Sequence, residues 1–84
     1  MTFEHDPDMS AANRKKRGIG FDEAQALWDD PHLIEAPATV TDEQRFLAIG
    51  ARHWAAVYAY RSGRVRIISV CRARKQEIDH HEGD

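Results

Sequence analysis

The sequence predicts an α+β fold, with two N-terminal helices packed on a four- to five-stranded, mainly antiparallel sheet and a C-terminal helix. Two observations support this prediction. Between residues 6 and 31, apolar residues recur at helical spacing and are bounded by capping residues, glycine and proline. The second half contains three runs rich in β-branched and aromatic residues, separated by two residues each: RFLAIGA, WAAVYAYR and RVRIISVC. Connections this short are typical of hairpins, so we expect an antiparallel meander.

The N-terminal third predicts one short strand and two helices. The strand TFEH is followed by Asp6, which can cap a helix, and by Pro7, which suits a first turn. This helix, DMSAANRKKR, should end at Gly18, because glycine tolerates the left-handed conformation of a helix C-terminus. The second helix, GFDEAQALWDDP, carries acids in its first turn and should end at Pro31.

The remaining elements complete one domain, residues 1–84, because no repeat, low-complexity tract or linker divides the chain. HLIEA reads as a brief strand, PATVTDEQ as a polar connection, and RARKQEIDHH as the last helix. Helices on one face leave the other face of an antiparallel sheet open. Strict alternation along the last strand would place Arg64, Arg66 and Ile68 on one face and Val65, Ile67 and Ser69 on the other. We expect the arginines to lie on the open face.

The charges are segregated, although the net charge is only −2. Residues 44–76 contain seven arginines, one lysine and no acid, whereas residues 18–43 contain seven acids and no lysine or arginine. A basic block of this length can be a solvated surface. Because it lies on predicted strands, we favour a site for a polyanion.

The sequence also predicts a cytoplasmic protein with no membrane segment. No apolar run approaches the roughly 20 residues that span a bilayer, and the acidic N-terminus has no apolar signal region. The single cysteine, Cys71, is compatible with a reducing compartment.

The residue types favour chemistry on RNA without a metal ion or other cofactor. The five histidines and one cysteine lack metal-ligand spacing, and no glycine-rich phosphate loop is present. The 2′-hydroxyl of RNA can attack the adjacent phosphate if the protein stabilises negative charge and transfers protons. Arginines suit the first task. Candidates for the second are Glu77, His53, Tyr58, Tyr60 and the pair His80 and His81, although the tyrosines can equally be packing residues and the tail histidines a solvated helix end.

Several motifs together resemble the BrnT family of type II toxin–antitoxin ribonucleases. They are FEHDP, N..K.G..F.EA...W.DP, RF.AIG, VY..R and R.RIIS..RA...E, in this order from residue 3 to residue 77, and the resemblance as a whole covers residues 3–82. The resemblance implies a RelE-like fold and RNA cleavage that arrests translation. It also implies a BrnA-like antitoxin, whose ribbon-helix-helix part binds operator DNA, in an assembly of two toxins and two antitoxins. Operator DNA would then be contacted only through the antitoxin.

The resemblance and the basic block together give the expected site. Arg64, Arg66 and Arg72 should bind phosphate and stabilise transition-state charge, and Glu77 should transfer a proton. Further RNA contacts are expected from basic residues in the first helix and along the block: Lys16, Arg45, Arg52, Arg61, Arg74 and Lys75. The family pattern also matches at Asn13 and Ser69.

Two other functions remain open from the sequence. Cys71 occupies a position where the family often has arginine, and the C-terminal segment is acidic, so the chain can be a toxin homologue that only binds its antitoxin and controls the operon. It can also be a nucleic-acid-binding protein with no toxin role. Convergence of Arg64, Arg66, Arg72 and Glu77 on one open pocket would favour the ribonuclease.

Overall fold

A computed structural model describes residues 2–40, 43–50 and 53–73. The five strands form one mixed sheet in the order β1-β5-β4-β3-β2, in which β1 runs parallel to β5 and the other neighbours are antiparallel. Two α-helices and a 3₁₀-helix accompany the sheet, so the α+β prediction is confirmed. The elements are β1 Phe3–Glu4, α1 Pro7–Arg17, α2 Phe21–Ala24, the 3₁₀-helix Gln25–Asp29, β2 Ile34–Val40, β3 Gln44–Gly50, β4 Trp54–Arg61 and β5 Arg64–Arg72.

Helix α1 begins and ends where the sequence predicts. The Asp6 carboxylate accepts hydrogen bonds from the backbone N–H groups of Asp8 at 2.8 Å and Met9 at 3.4 Å. These bonds satisfy donors that no intrahelical carbonyl can reach. At the other end Gly18 adopts a φ of 85° and donates its N–H to the Arg14 carbonyl at 2.8 Å. A side chain at residue 18 would strain this left-handed backbone.

The structure departs from the predicted elements in the second helix and in β2. Helix α2 has four residues before it tightens into the 3₁₀-helix. Strand β2 continues through Pro37 to Val40, where the sequence predicts a polar connection. Proline is tolerated there because β2 is an edge strand, where one side of the backbone has no neighbour in the sheet. The predicted C-terminal helix lies outside the described residues apart from Arg72 and Ala73, which continue and follow β5.

The hydrophobic core lies between the helices and one face of the sheet. Its largest fully buried side chains are Phe21 from α2, Tyr58 from β4, and Val65, Ile67 and Val70 from β5. Each is less than 2% exposed. A second, smaller cluster of Ile49, Ala55 and Ala73 lies on the opposite face, which we call the open face. One end of the open face is therefore apolar.

A bulge in β5 changes which face its side chains occupy. Tyr58 pairs with Ile67, but the next residue back along β4, Val57, pairs with Ser69, so Ile68 is an extra residue. Such an insertion shifts the alternation of every following side chain by one position. Ser69 therefore shares a face with Val57, and the expectation that it lies with Val65 and Ile67 is wrong.

Asn13 fastens α1 to the sheet. Its side-chain amide donates to the Ile19 carbonyl at 2.8 Å, and its side-chain oxygen accepts from the Val70 N–H at 3.2 Å. One side chain thus holds the turn after α1 and the middle of β5. These contacts give Asn13 a structural role in the fold.

We expect Asn13→Ala to lower the free energy of unfolding by about 2 kcal/mol, because a buried donor and a buried acceptor each lose a partner. Asn13→Asp retains the acceptor for Val70 but not the donor to Ile19, and should lose part of that amount. Urea unfolding followed by tryptophan fluorescence measures both variants. An unchanged midpoint for Asn13→Ala would contradict the fastening role.

Candidate functional site

Four arginines gather at the end of the open face where β4 turns into β5. We call them the arginine cluster: Arg45, Arg61, Arg64 and Arg66. Ala59 of β4 pairs with Arg45 on one side and with Arg66 on the other, so the three side chains share a face. Ala59 is 0% exposed and stands between the two arginines in the ladder. The basic groups thereby form a row across three strands.

Acidic residues contact two members of the arginine cluster. Arg66 Nη1 lies 3.3 Å from Glu4 Oε2, and the side chains are 26% and 30% exposed. Glu4 reaches Arg66 because β1 pairs with β5 in the same register. Arg61 donates two hydrogen bonds to Glu43, at 3.0 and 3.3 Å. These carboxylates orient the guanidinium groups and lower the local positive charge.

Arg45 carries a buried polar atom without a protein partner. Its Nε has no hydrogen-bond acceptor within the described part of the chain, although the residue as a whole is only half-buried. An unsatisfied buried N–H typically costs about 1–3 kcal/mol.

The β4–β5 hairpin places two like charges opposite each other. Arg61 and Arg64 form the last pair of the ladder, and Ser62 and Gly63 make the turn with φ of 51° and 77°. Positive φ at both central residues suits a tight hairpin. Opposed like charges destabilise a sheet pair unless something compensates them. The negative charge of Glu43 offsets the positive charge of Arg61, and a bound anion would offset that of the exposed Arg64.

Arg72 does not join the arginine cluster. It pairs with Trp54 at the far end of β4, six residues and therefore about 20 Å beyond Arg66. Because the bulge at Ile68 shifts the alternation, Arg72 shares the face of the helices, and its guanidinium carbon lies 4.9 Å from the centre of the Trp54 ring. Arg72 therefore does not converge with Arg64 and Arg66 on one pocket, the arrangement that would have favoured the ribonuclease.

Lys16 lies apart from the arginine cluster and from Arg72. It is exposed in the last turn of α1 and lines a cavity of about 240 Å³ with Met9 of the same helix and with Ile68 and Ser69 of β5. The other predicted site residues, Arg52, Arg74, Lys75 and Glu77, lie outside the described residues.

Two of the candidates for proton transfer lie away from the arginine cluster, one on the opposite face of the sheet and one at the far end of β4. Tyr58 is buried on the face of the helices, where its hydroxyl donates to Glu35 and the Trp28 ring packs against it. Burial, followed by the hydrogen bond to Glu35, raises the pKa of Tyr58 well above its usual range, so the hydroxyl stays neutral. His53 precedes Trp54 at the far end of β4. Another candidate for proton transfer, Tyr60, directly precedes Arg61 in β4.

Sequence reasoning missed Glu4 and Glu43 as members of the site. Glu4 is 62 residues from Arg66, and nothing in the sequence indicated a pairing over that separation. Only a weak sequence signal pointed to this contact, namely an acidic residue in a short N-terminal strand of a protein whose other strands are rich in arginine. Across residues 2–40, 43–50 and 53–73, no three His, Cys, Asp or Glu side chains are arranged to hold a metal ion.

The fold and the arginine cluster have the features of a small α+β protein that binds a polyanion. The model of one protein family, described as the ribonuclease toxin BrnT of type II toxin–antitoxin systems, matches residues 5–77. The chain belongs to this BrnT family, which confirms the resemblance inferred from the motifs. A search of curated proteins gave no match. In the described part of the chain no helix has the length and apolar character needed to cross a membrane.

Proposed function

We propose that this chain is a cytoplasmic endoribonuclease toxin that cleaves RNA without a metal ion and thereby arrests translation. Membership of the BrnT family supports the ribonuclease class. The row of Arg45 and Arg66 across Ala59 is the observation that supports the site, because it places two arginines on one face with one strand between them, about 10 Å apart at the backbone. Guanidinium groups bind phosphate oxygens through paired hydrogen bonds.

The proposed reaction uses the RNA's own nucleophile. The 2′-oxygen forms a bond to phosphorus while the bond from phosphorus to the 5′-oxygen breaks, which leaves a 2′,3′-cyclic phosphate and a 5′-hydroxyl. One proton leaves the 2′-hydroxyl and one reaches the 5′-oxygen. Arg64 and Arg66 stabilise the charge on the phosphate oxygens, with Arg45 supporting them. Glu77 is the proposed proton carrier.

The remaining basic residues are proposed as contacts to other phosphates of the same RNA. Arg72 lies too far from Arg66 to share its phosphate, and Lys16 lies beside α1. Arg52, Arg61, Arg74 and Lys75 complete the proposed RNA-binding set. In this arrangement Arg64 and Arg66, supported by Arg45, stabilise the charge at the reacting phosphate, and the other basic residues bind the rest of the RNA strand.

The proposed partner is a BrnA-like antitoxin with a ribbon-helix-helix part. A type II toxin is neutralised by a protein antitoxin, so family membership supports a partner of this kind. We propose an assembly of two toxins and two antitoxins, which contacts operator DNA through the antitoxin. The two helices on one face of the sheet are compatible with a RelE-like arrangement, completed by a C-terminal helix.

The decisive experiment combines growth with cleavage by purified protein. Induced expression should arrest growth, and coexpression of the antitoxin encoded beside it should relieve the arrest. Purified protein should cleave single-stranded RNA equally well in Mg²⁺ and in excess EDTA, leaving cyclic phosphate ends. Loss of cleavage in EDTA, with recovery on adding Mg²⁺, would contradict the metal-independent reaction.

A second function has one observation in its favour. Glu4 and Glu43 neutralise two of the four arginines in the cluster, which suits a weak or inactive toxin homologue that serves as an antitoxin-binding module in operon control. In that case purified protein would bind the antitoxin tightly but leave RNA intact. Expression of folded protein would not slow growth.

RNA binding should weaken steeply with salt. If the four arginines of the cluster contact about four phosphates, they alone should contribute about −3 to the slope of the logarithm of the association constant against the logarithm of salt concentration. Arg45→Gln should reduce the magnitude of that slope by roughly 0.7, whereas Lys15→Gln, on exposed α1, should leave it unchanged. If the association constant of the unaltered protein does not change with salt concentration, the cluster does not bind phosphates. Fluorescence anisotropy with a labelled RNA measures all three proteins.

A further inference from the structure

Tyr60 is a large aromatic side chain that the structure leaves exposed. It is 49% exposed, although most other rings of the described chain are buried or half-buried. It lies on β4 directly before Arg61. Tyr60 is therefore accessible to a ligand directly beside a member of the arginine cluster.

Neighbouring rings hold Tyr60 in place. The Phe46 ring lies 5.3 Å away at 69°, and the Tyr58 ring lies 5.7 Å away at 85°, both edge-on. Tyr58 is itself fixed by burial and by its hydrogen bond to Glu35. A ring supported in this way has little conformational freedom to lose when another planar group stacks on it.

The positive charges next to Tyr60 favour a nucleic-acid strand as the group that stacks. Tyr60 and Arg61 are consecutive, so their Cα atoms are about 3.8 Å apart while their side chains leave on opposite faces. Arg64 pairs with Arg61 across the turn. A strand that crosses this rim can place a phosphate against the guanidinium groups and the attached base against the ring.

We propose that Tyr60 is a stacking platform for one base of single-stranded RNA, beside the phosphate held by Arg61 and Arg64. The inference rests on the proposed function and adds to it the form of the substrate, because only an unpaired base can stack on a protein ring at this rim. Stacking accepts any base, so Tyr60 contributes affinity and positioning without strong sequence preference.

The test measures binding separately from cleavage. A short labelled RNA with 2′-O-methyl groups cannot react, and its affinity is read by fluorescence anisotropy. Tyr60→Ala should bind it about tenfold more weakly, within the range expected for loss of one stacked base. Tyr60→Phe, which retains the ring, should bind as the unaltered protein does. Met9→Ala, which removes another exposed apolar side chain on α1, is the matched control and should have no effect.

A series of RNAs, each with one abasic position, tests whether a base is the partner. Against unaltered protein, one abasic position should weaken binding about tenfold, and against Tyr60→Ala the same RNA should lose nothing further. Equal loss for both proteins at every position would overturn the platform.

Two results separate this inference from the proposed function. If Tyr60→Ala binds RNA normally while Arg66→Ala does not, the platform is wrong and the ribonuclease proposal stands. If Tyr60→Ala weakens binding of the antitoxin but not of RNA, the exposed ring belongs to the protein interface, and the platform is again wrong. If Tyr60→Ala leaves RNA binding unchanged and the unaltered protein does not cleave RNA, both proposals fail.

Discussion

Arg66→Ala should reduce RNA cleavage by about 100- to 1,000-fold, the usual effect of removing one preorganised donor from developing negative charge. Arg66 is suited to this task because the Glu4 carboxylate orients its guanidinium group. The expected results in cells are loss of growth arrest and normal binding of the antitoxin. Single-turnover cleavage of a labelled RNA measures the effect.

The controls separate chemistry from folding. The contact between Arg66 and Glu4 is partly exposed, so its loss should cost under about 1 kcal/mol and leave the midpoint of unfolding nearly unchanged. Arg66→Lys retains the charge but not the planar fork, and should recover only part of the activity. Arg72→Ala, about 20 Å away, should reduce cleavage only a few-fold. A large loss of stability in Arg66→Ala, without a change in the activity of its folded fraction, would make Arg66 a structural residue.

Phe21→Ala should lower the free energy of unfolding by about 3–5 kcal/mol, because it removes a ring from the centre of the core. Phe21 is 1% exposed, and its backbone N–H donates to the buried Ser10 hydroxyl at 2.8 Å. A domain of 84 residues has little stability to spare, so the variant should be largely unfolded at 37 °C.

Met9→Ala is the matched control for this loss, since Met9 is 44% exposed on α1 and its removal should change stability by less than about 0.5 kcal/mol. Thermal unfolding measures both variants. Coexpression with the antitoxin should raise the amount of folded Phe21→Ala protein if the partner binds the native state. A midpoint for Phe21→Ala within a degree or two of the unaltered protein would contradict the central position of this ring.

Local signals predicted the elements well. Asp6 and Gly18 mark α1 because capping depends on residues within one helical turn, and the two-residue Ser62–Gly63 turn predicts the β4–β5 hairpin because positive φ is restricted to a few residue types. The arginine cluster also followed from the sequence, since Arg64 and Arg66 precede any irregularity in β5.

Features that depend on distant parts of the chain were not predictable in this way. The face that each β5 side chain occupies depends on whether the strand contains an extra residue. The adjacent apolar residues Ile67 and Ile68 are compatible with a regular strand as well as with a bulge, so the sequence did not reveal the extra residue. For this reason the sequence did not predict the face of the sheet on which Arg72 lies. The contact of Glu4 with Arg66 requires β1 to join the far edge of the sheet in parallel, a pairing that no short-range pattern encodes.

The bulge at Ile68 has a consequence for how this surface can change in evolution. It divides β5 into two segments whose arginines lie on opposite faces of the sheet. Substitutions at Arg66 and at Arg72 should therefore have additive effects on free energy, as is usual for residues more than about 10 Å apart. One strand can then acquire mutations for two surfaces independently, so that selection at one end of β5 does not constrain the other.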